Sequence, residues 1–118
     1  MQHILLVDDD LNFRRSLVIQ LELEGYRVTE IESAIQAITF LKEYYSNEKS
    51  PDILITDVRM PEMEGEEFVV GLQEEYPDLP VLVISAFELP EGLGGYPFLR
   101  KPFRIQQMIE TICHILKS

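Results

Sequence analysis

Three stretches of this chain share one pattern, a mostly apolar run followed by a polar residue. The runs are residues 4–7, 53–56 and 81–84, and the polar residues that follow them are Asp8, Asp57 and Ser85. A short continuous apolar run favours a strand that is buried on both faces, as in a parallel sheet. Ligands of open parallel sheets bind at the carboxyl ends of the strands, so we expect these polar residues to converge on one site.

A fourth strand pattern brings a cation, Lys101, to the same predicted edge. Packed carboxylates repel one another unless positive charge lies among them, and Mg²⁺ prefers oxygen ligands. We therefore predict that Asp8, Asp9 and Asp57 hold a Mg²⁺ ion. Lys101 can supply a compact positive charge to a phosphoryl oxygen, and Ser85 can donate a hydrogen bond to another. The residues at this edge are those needed to transfer a phosphoryl group to an aspartate.

Consecutive aspartates after a strand also have a simpler interpretation. They can form a solvated turn in which Asp10 or Asn12 caps the following helix. We favour this interpretation for Asp10, and the metal site for the other two aspartates together with Asp57.

Composition limits the kind of protein this is. The 118 residues fit one domain, covering 1–118, and the formal net charge is −11. Such acidity argues against a surface for nucleic acid or an anionic membrane, which needs clustered Lys and Arg. No apolar stretch approaches the roughly 18 residues of a membrane span and no signal peptide is evident, so we expect a cytoplasmic location. The one cysteine, Cys113, is interpreted as a small packing residue on the last helix, not as a redox group.

The remaining periodicity predicts helices between the strands. We expect helices over about 12–24, 33–45 and 66–76 and from about 104 onwards, and an edge strand over 26–31. Ser33 is the expected cap of the second helix, and Ile35, Ile38 and Leu41 are its expected inner face. Strands that alternate with helices imply a parallel sheet with right-handed crossovers. Residues 86–96 are rich in Pro and Gly, so the fourth crossover helix is predicted to be one or two turns at most, or absent.

From Gln2 to Lys117 the chain resembles a response-regulator receiver domain of two-component signalling, the CheY-like family. The resemblance is carried by the motifs I-L-L-V-D-D-D, I-L-I-T-D-V-R-M-P-E-M-E-G, V-L-V-I-S-A and F-L-R-K-P-F. It implies a doubly wound α/β fold, with a five-stranded parallel sheet in the order 2-1-3-4-5 and helices on both faces.

The resemblance also implies a role for each matching residue in metal and phosphoryl binding. Asp57 matches the aspartate that accepts a phosphoryl group from a histidine kinase or phosphotransfer protein. Asp8 and Asp9 match the acidic pair, with Asp9 the direct Mg²⁺ ligand of the two. The backbone carbonyl of Arg59 matches a further metal ligand. Lys101 matches the phosphate-binding lysine, whose peptide bond to the following proline is often cis in this family.

Two further residues match a conformational switch. Ser85 matches the hydroxyl residue that contacts the phosphoryl group and moves on activation. Phe98 matches the aromatic residue that turns inward when Ser85 moves. Phosphorylation would shift this two-state equilibrium towards an output domain or partner that the sequence does not identify. The resemblance implies a signalling domain, not an enzyme beyond its own phosphorylation and dephosphorylation.

The short interval between Ser85 and Lys101 departs from the family, which usually has a full fourth helix there as part of its output surface. Phe87, Leu89 and Leu93 are expected to be exposed here, and they form either a different contact surface or a simple lid. Arg59 and Phe87 lie two residues past Asp57 and Ser85, where the family tunes water access. A cation and a bulky aromatic at these positions predict a long-lived phosphoryl aspartate.

Other functions are compatible with parts of the pattern. A pseudo-receiver would have the same fold and act as a binding module without phosphorylation. A haloacid-dehalogenase-type phosphatase would use Asp8-x-Asp10, but the chain lacks the expected threonine and has little room for a substrate cap. A flavodoxin is excluded, because three consecutive aspartates would repel the FMN phosphate. The chain is either a stand-alone receiver or part of a longer regulator or hybrid kinase.

Overall fold

The computed structural model describes residues 2–47, 49–60 and 62–117. Five parallel strands form one sheet in the order β2-β1-β3-β4-β5. The strands are β1 (His3–Val7), β2 (Arg27–Ile31), β3 (Ile53–Asp57), β4 (Val81–Ser85) and β5 (Phe98–Arg100). Every residue of β1, β3 and β4 is buried, as the continuous apolar runs predicted. The strand order also confirms the predicted order 2-1-3-4-5.

Four helices connect and cover the strands. They are α1 (Leu11–Leu23), α2 (Ala34–Tyr44), α3 (Gly65–Glu75) and α4 (Ile105–Lys117). Two of the predicted N-caps are confirmed. The Asp10 carboxylate accepts from the Phe13 backbone N–H at 3.1 Å, and the Ser33 hydroxyl accepts from the Gln36 N–H at 3.2 Å. No helix in the described part of the chain is long and apolar enough to cross a membrane.

Side chains from the strands alternate between two cores, one on each face of the sheet. Leu5 and Val7 lie in the core that α2 and α3 cover, whereas Ile4 and Leu6 lie in the core under α1 and α4. The buried residues on the helix sides are Leu41, Phe68, Val69 and Leu72 for the first core and Leu17, Leu21, Met108 and Ile112 for the second. The two cores fix the sheet in place and leave its carboxyl edge open to form a site.

The predicted inner face of α2 is wrong at one position. Ile35 is 49% exposed, whereas Ala34, Ala37 and Leu41 are fully buried. Two alanines allow the helix to approach the sheet closely, so the small residues and not the isoleucine determine which face is buried. Cys113 is exposed on α4, where its Sγ lies 3.7 Å from the Tyr26 hydroxyl.

The crossover between β4 and β5 is as short as the sequence predicted, with a single 3₁₀ turn at Glu91–Leu93. The expectation that Leu89 and Leu93 are exposed is wrong, because Leu93 is fully buried in the core that α3 covers and Leu89 is partly buried against that core. Phe87 is half exposed, as expected. The backbone N–H of Gly92 donates to the Glu66 carboxylate at 2.8 Å. A Cβ at Gly92 would collide with that carboxylate, so glycine allows the contact. Leu93 and the Glu66 contact thus anchor the segment to α3.

We predict that Leu93→Ala lowers the free energy of unfolding by about 2–5 kcal/mol, because it leaves a cavity beneath the shortened crossover. The matched control is Leu23→Ala, since Leu23 is 81% exposed at the end of α1. Chemical denaturation measures both variants. If the two substitutions cost the same, Leu93 does not anchor the crossover.

Candidate functional site

Asp8, Asp57 and Lys101 meet at the carboxyl edge of the sheet. Val7 pairs with Thr56 across β1 and β3, so Asp8 and Asp57 leave the two strands at the same level. The Lys101 Nζ donates to Asp8 Oδ2 at 2.8 Å and to Asp57 Oδ2 at 2.6 Å. The sheet order reverses between β1 and β3, which is where ligands of doubly wound sheets bind.

Turn backbone fixes the second oxygen of each carboxylate. Asp8 Oδ1 accepts from the Asp10 N–H at 2.9 Å, and Asp57 Oδ1 accepts from the Arg59 N–H at 2.8 Å. Each carboxylate therefore has one oxygen on a backbone donor and the other on the same ammonium. This arrangement restricts the rotation of both side chains and keeps them directed at Lys101.

Two carboxylates share one ammonium in a largely dry environment. Asp8 is fully buried and Asp57 is 6% exposed. Desolvation raises the pKa of Asp8 above its usual range, against the effect of the Lys101 hydrogen bond. Burial favours neutral Lys101, but its hydrogen bonds to Asp57 and Asp8 outweigh that effect and raise its pKa. With both carboxylates ionised, the pair and the ammonium together carry one net negative charge.

This donor set fits a divalent cation. Asp9 directly follows Asp8 and is exposed, so it can bring a further charged oxygen to a hard ion. In the described residues, however, no three acidic, His or Cys side chains already converge as a metal cluster. Asp8 and Asp57 instead point to Lys101. The structure therefore places the oxygen donors close to one another without assembling them around a single point.

Lys101 is positioned by β5 and by aromatic rings. Its backbone N–H donates to the Ser85 carbonyl at 2.8 Å, and its peptide bond to Pro102 is cis. The ammonium lies over the Phe13 ring, 4.0 Å from the centroid. Phe13 in turn packs edge to face against Phe103, with the ring centroids 5.9 Å apart.

Arg14 was not among the residues predicted from the sequence, and it supports the acidic edge from inside. Its guanidinium is almost fully buried and donates to the Asp8 carbonyl at 2.7 Å and to the Glu30 carboxylate at 2.9 Å. Its position in α1 could have revealed this role, because Arg14 lies on the same buried face of the helix as Leu17 and Leu21. A charged residue on such a stripe needs a buried partner.

Ser85 and its neighbours form the other side of the site. Ser85 is fully buried, and its hydroxyl accepts from the Phe87 N–H at 3.0 Å. Phe87 is half exposed, and the Arg59 guanidinium lies 4.1 Å from its ring centroid. Phe98 is partly buried against the core that α3 covers. Asp8, Asp57 and Lys101 therefore meet at one edge, with Ser85 at the end of the neighbouring strand β4. Phe98 lies at the start of β5, opposite Val83, and Arg59 contacts Phe87.

The fold and the site together define a doubly wound α/β domain with an acidic pair and a lysine between β1 and β3. The family model of the response regulator receiver domain matches residues 4–113, and the chain belongs to this family. It is a receiver domain of the kind used in two-component signal transduction.

Named relatives agree with this assignment. The chain is 33% identical to the response regulator receiver protein CpdR of Brucella abortus, over 95% of this chain and 94% of CpdR. It is 34% identical to the transcriptional regulatory protein GlrR of Escherichia coli, over 98% of this chain but 26% of GlrR. The chain thus spans about a quarter of the length of GlrR.

A solved structure supports the same fold. The response regulator TrrA of Thermotoga maritima, in complex with Mg²⁺ and beryllium fluoride, is 25% identical, with a TM-score of 0.84. The match covers 98% of this chain and 99% of that one. Because the chain is a receiver domain, the phosphatase alternative is not supported. Asp10, which that alternative would place in catalysis, is the N-cap of α1.

We predict that Lys101→Met lowers the free energy of unfolding by about 3–5 kcal/mol, because it leaves two buried carboxylates without their cation. Adding Asp8→Asn should restore part of this loss, since it removes one of the two uncompensated charges. Denaturant unfolding at pH 7 measures the wild type, both single variants and the double variant. If the effects of the two substitutions add, Lys101 and Asp8 do not share one charge balance.

Proposed function

We propose that Asp57 is the phosphoacceptor of this receiver domain, with a histidine kinase or phosphotransfer protein as the donor. The observation that supports this assignment is the Lys101 ammonium, 2.6 Å from Asp57 Oδ2. In the reaction an Asp57 oxygen forms a bond to phosphorus as the phosphorus–nitrogen bond of phosphohistidine breaks. The leaving imidazole takes up a proton. Phosphoryl transfer depends on positioning and on neutralising charge, which Lys101 supplies at this edge.

Mg²⁺ is the proposed cofactor. Asp8, Asp9 and Asp57 would supply its carboxylate oxygens, and the backbone carbonyl of Arg59 a further oxygen. When bound, the ion neutralises negative charge on the phosphoryl group. These ligands are supported by the excess of carboxylates over cations at the edge. Burial of Asp8 raises its pKa, so a nearby cation would stabilise its charged form.

Ser85 and Phe98 are the proposed switch. The Ser85 hydroxyl accepts from the Phe87 N–H, and it would donate its own hydrogen to a phosphoryl oxygen on Asp57, which would draw Ser85 towards Asp57. Movement of Ser85 would change the space beside Phe98, because β4 and β5 are adjacent in the sheet. The state of Asp57 would thereby shift the population of two conformations.

The output of the switch is a partner protein or another domain of a longer chain, as expected from the sequence. The domain is proposed to signal, and to catalyse only its own phosphorylation and dephosphorylation. We also propose a cytoplasmic location, as expected from the sequence. The phosphorylation-independent pseudo-receiver is the alternative, and Asp57 phosphorylation discriminates between the two.

The proposal is tested by intact mass after incubation with Mg²⁺ and acetyl phosphate. We expect the wild type and the control Asp78→Asn to gain the mass of one phosphoryl group and Asp57→Asn to gain none. Asp78 is exposed in the turn that leads into the amino end of β4, whereas the acidic site lies at the carboxyl ends of the strands. No gain by the wild type, together with no binding of beryllium fluoride, would favour the pseudo-receiver.

The contact between Arg59 and Phe87 is proposed to slow hydrolysis of the phosphoryl aspartate. Arg59 follows Asp57 by two residues and Phe87 follows Ser85 by two, and the Arg59 guanidinium stacks on the Phe87 ring. A cation that stacks on an aromatic face is held there more firmly than a free arginine side chain. The pair would limit the approach of water to the phosphorus.

We predict that Phe87→Ala and Arg59→Ala each speed dephosphorylation by about threefold to tenfold. The double variant should be little faster than either single variant, because each substitution already breaks the stack. Loss of the phosphoryl mass over time measures the rates, with Val70→Ala as a control on the exposed face of α3. A double variant as slow as the wild type contradicts the idea.

A further inference from the structure

We propose that Phe13 is a positioning residue that holds the Lys101 ammonium in place for the phosphoryl group. The Lys101 Nζ lies 4.0 Å from the centroid of the Phe13 ring. A cation at this distance is attracted by the negative face of the ring. The inference deepens the proposed function and rests on it, because the phosphoryl group is the one assigned to Asp57.

The ammonium of Lys101 has three N–H donors. Two of them are used by Asp8 Oδ2 at 2.8 Å and Asp57 Oδ2 at 2.6 Å. The Phe13 ring covers a further side of the same nitrogen. The ammonium is therefore enclosed by two carboxylates and one aromatic face, and its side chain is only 15% exposed.

Of these contacts, the one between Lys101 and the Phe13 ring does not depend on whether Asp57 is phosphorylated. When an Asp57 oxygen bonds to phosphorus, negative charge moves outward to the phosphoryl oxygens. Lysine has a flexible four-carbon stem, so its ammonium could follow the remaining carboxylate, Asp8. The attraction to Phe13 is unchanged by phosphorylation and keeps the ammonium near the position it must occupy.

The Phe13 ring is itself well fixed. Its backbone N–H is held by the Asp10 cap at 3.1 Å, and its ring packs edge to face on Phe103 at an interplanar angle of 88°. The first turn of α1 and the segment before α4 thus fix its orientation. A preorganised ring can hold a cation without itself becoming ordered during the reaction.

The test replaces Phe13 with phenylalanines carrying one, two or three ring fluorines. Fluorine weakens the negative ring face and changes the ring shape little, so a purely packing role would not give a graded response. We expect the phosphorylation rate with acetyl phosphate and Mg²⁺ to fall stepwise, by about fivefold for the trifluorinated ring. The same series at Phe40 is the control, because that half-buried ring packs against Tyr44, with its centroid 4.9 Å away.

A second readout needs no phosphorylation. The free energy of unfolding is measured for the Phe13 series with Lys101 intact and in the Lys101→Met background. We expect a stepwise loss with Lys101 intact that is absent with Lys101→Met, since the cycle isolates the interaction of the two side chains. Equal trends in the two backgrounds would overturn the proposal, whether or not Asp57 is phosphorylated.

The two readouts also separate failure of this inference from failure of the proposed function. A graded stability effect with an unchanged phosphorylation rate would show that Phe13 stabilises the fold but does not position Lys101 for the reaction. A wild type that takes no phosphoryl group would refute the proposed function and the positioning role together, and the stability series would still establish the contact. Stepwise loss in both readouts supports the positioning role.

Discussion

The two hydrogen bonds from Lys101 to Asp8 and Asp57 are the interaction on which the rest of the site depends. Burying a carboxylate is costly unless a cation and hydrogen bonds compensate for its lost hydration. Here one ammonium serves two carboxylates, and backbone N–H groups hold the remaining oxygens. These bonds join the carboxyl ends of β1 and β3 to the end of β5, a strand that pairs with neither of them in the sheet.

The shortened crossover gives this edge a direct connection to α3. The segment starts immediately after Ser85 and contains a turn in which Leu93 is buried and the Gly92 N–H donates to Glu66 on α3. A displacement of Ser85 therefore has a short path to the first turn of α3. Where a full helix would form a separate surface, this chain has a short irregular segment that packs against α3.

Sequence periodicity predicted the strands and helices well because buried parallel strands and amphipathic helices have distinct patterns. It also predicted which polar residues meet, since the carboxyl ends of neighbouring strands share an edge. It failed where one side chain depends on a distant partner. The buried Arg14 and Leu93, the phase of α2 at Ile35 and the contact of Phe13 with Lys101 follow from packing between elements, which local pattern does not contain.

The start of α1 organises the site from one side through three residues, Asp10, Phe13 and Arg14. Asp10 caps the helix, and the cap fixes the direction of the residues that follow. Successive helical residues point about 100° apart, so Phe13 can face Lys101 while Arg14 reaches the Asp8 carbonyl and Glu30. The same turn thus holds the ammonium and the backbone of one of its two carboxylates. A change that unwinds this turn would disturb both partners of the ion pair at once, even though it alters neither charge.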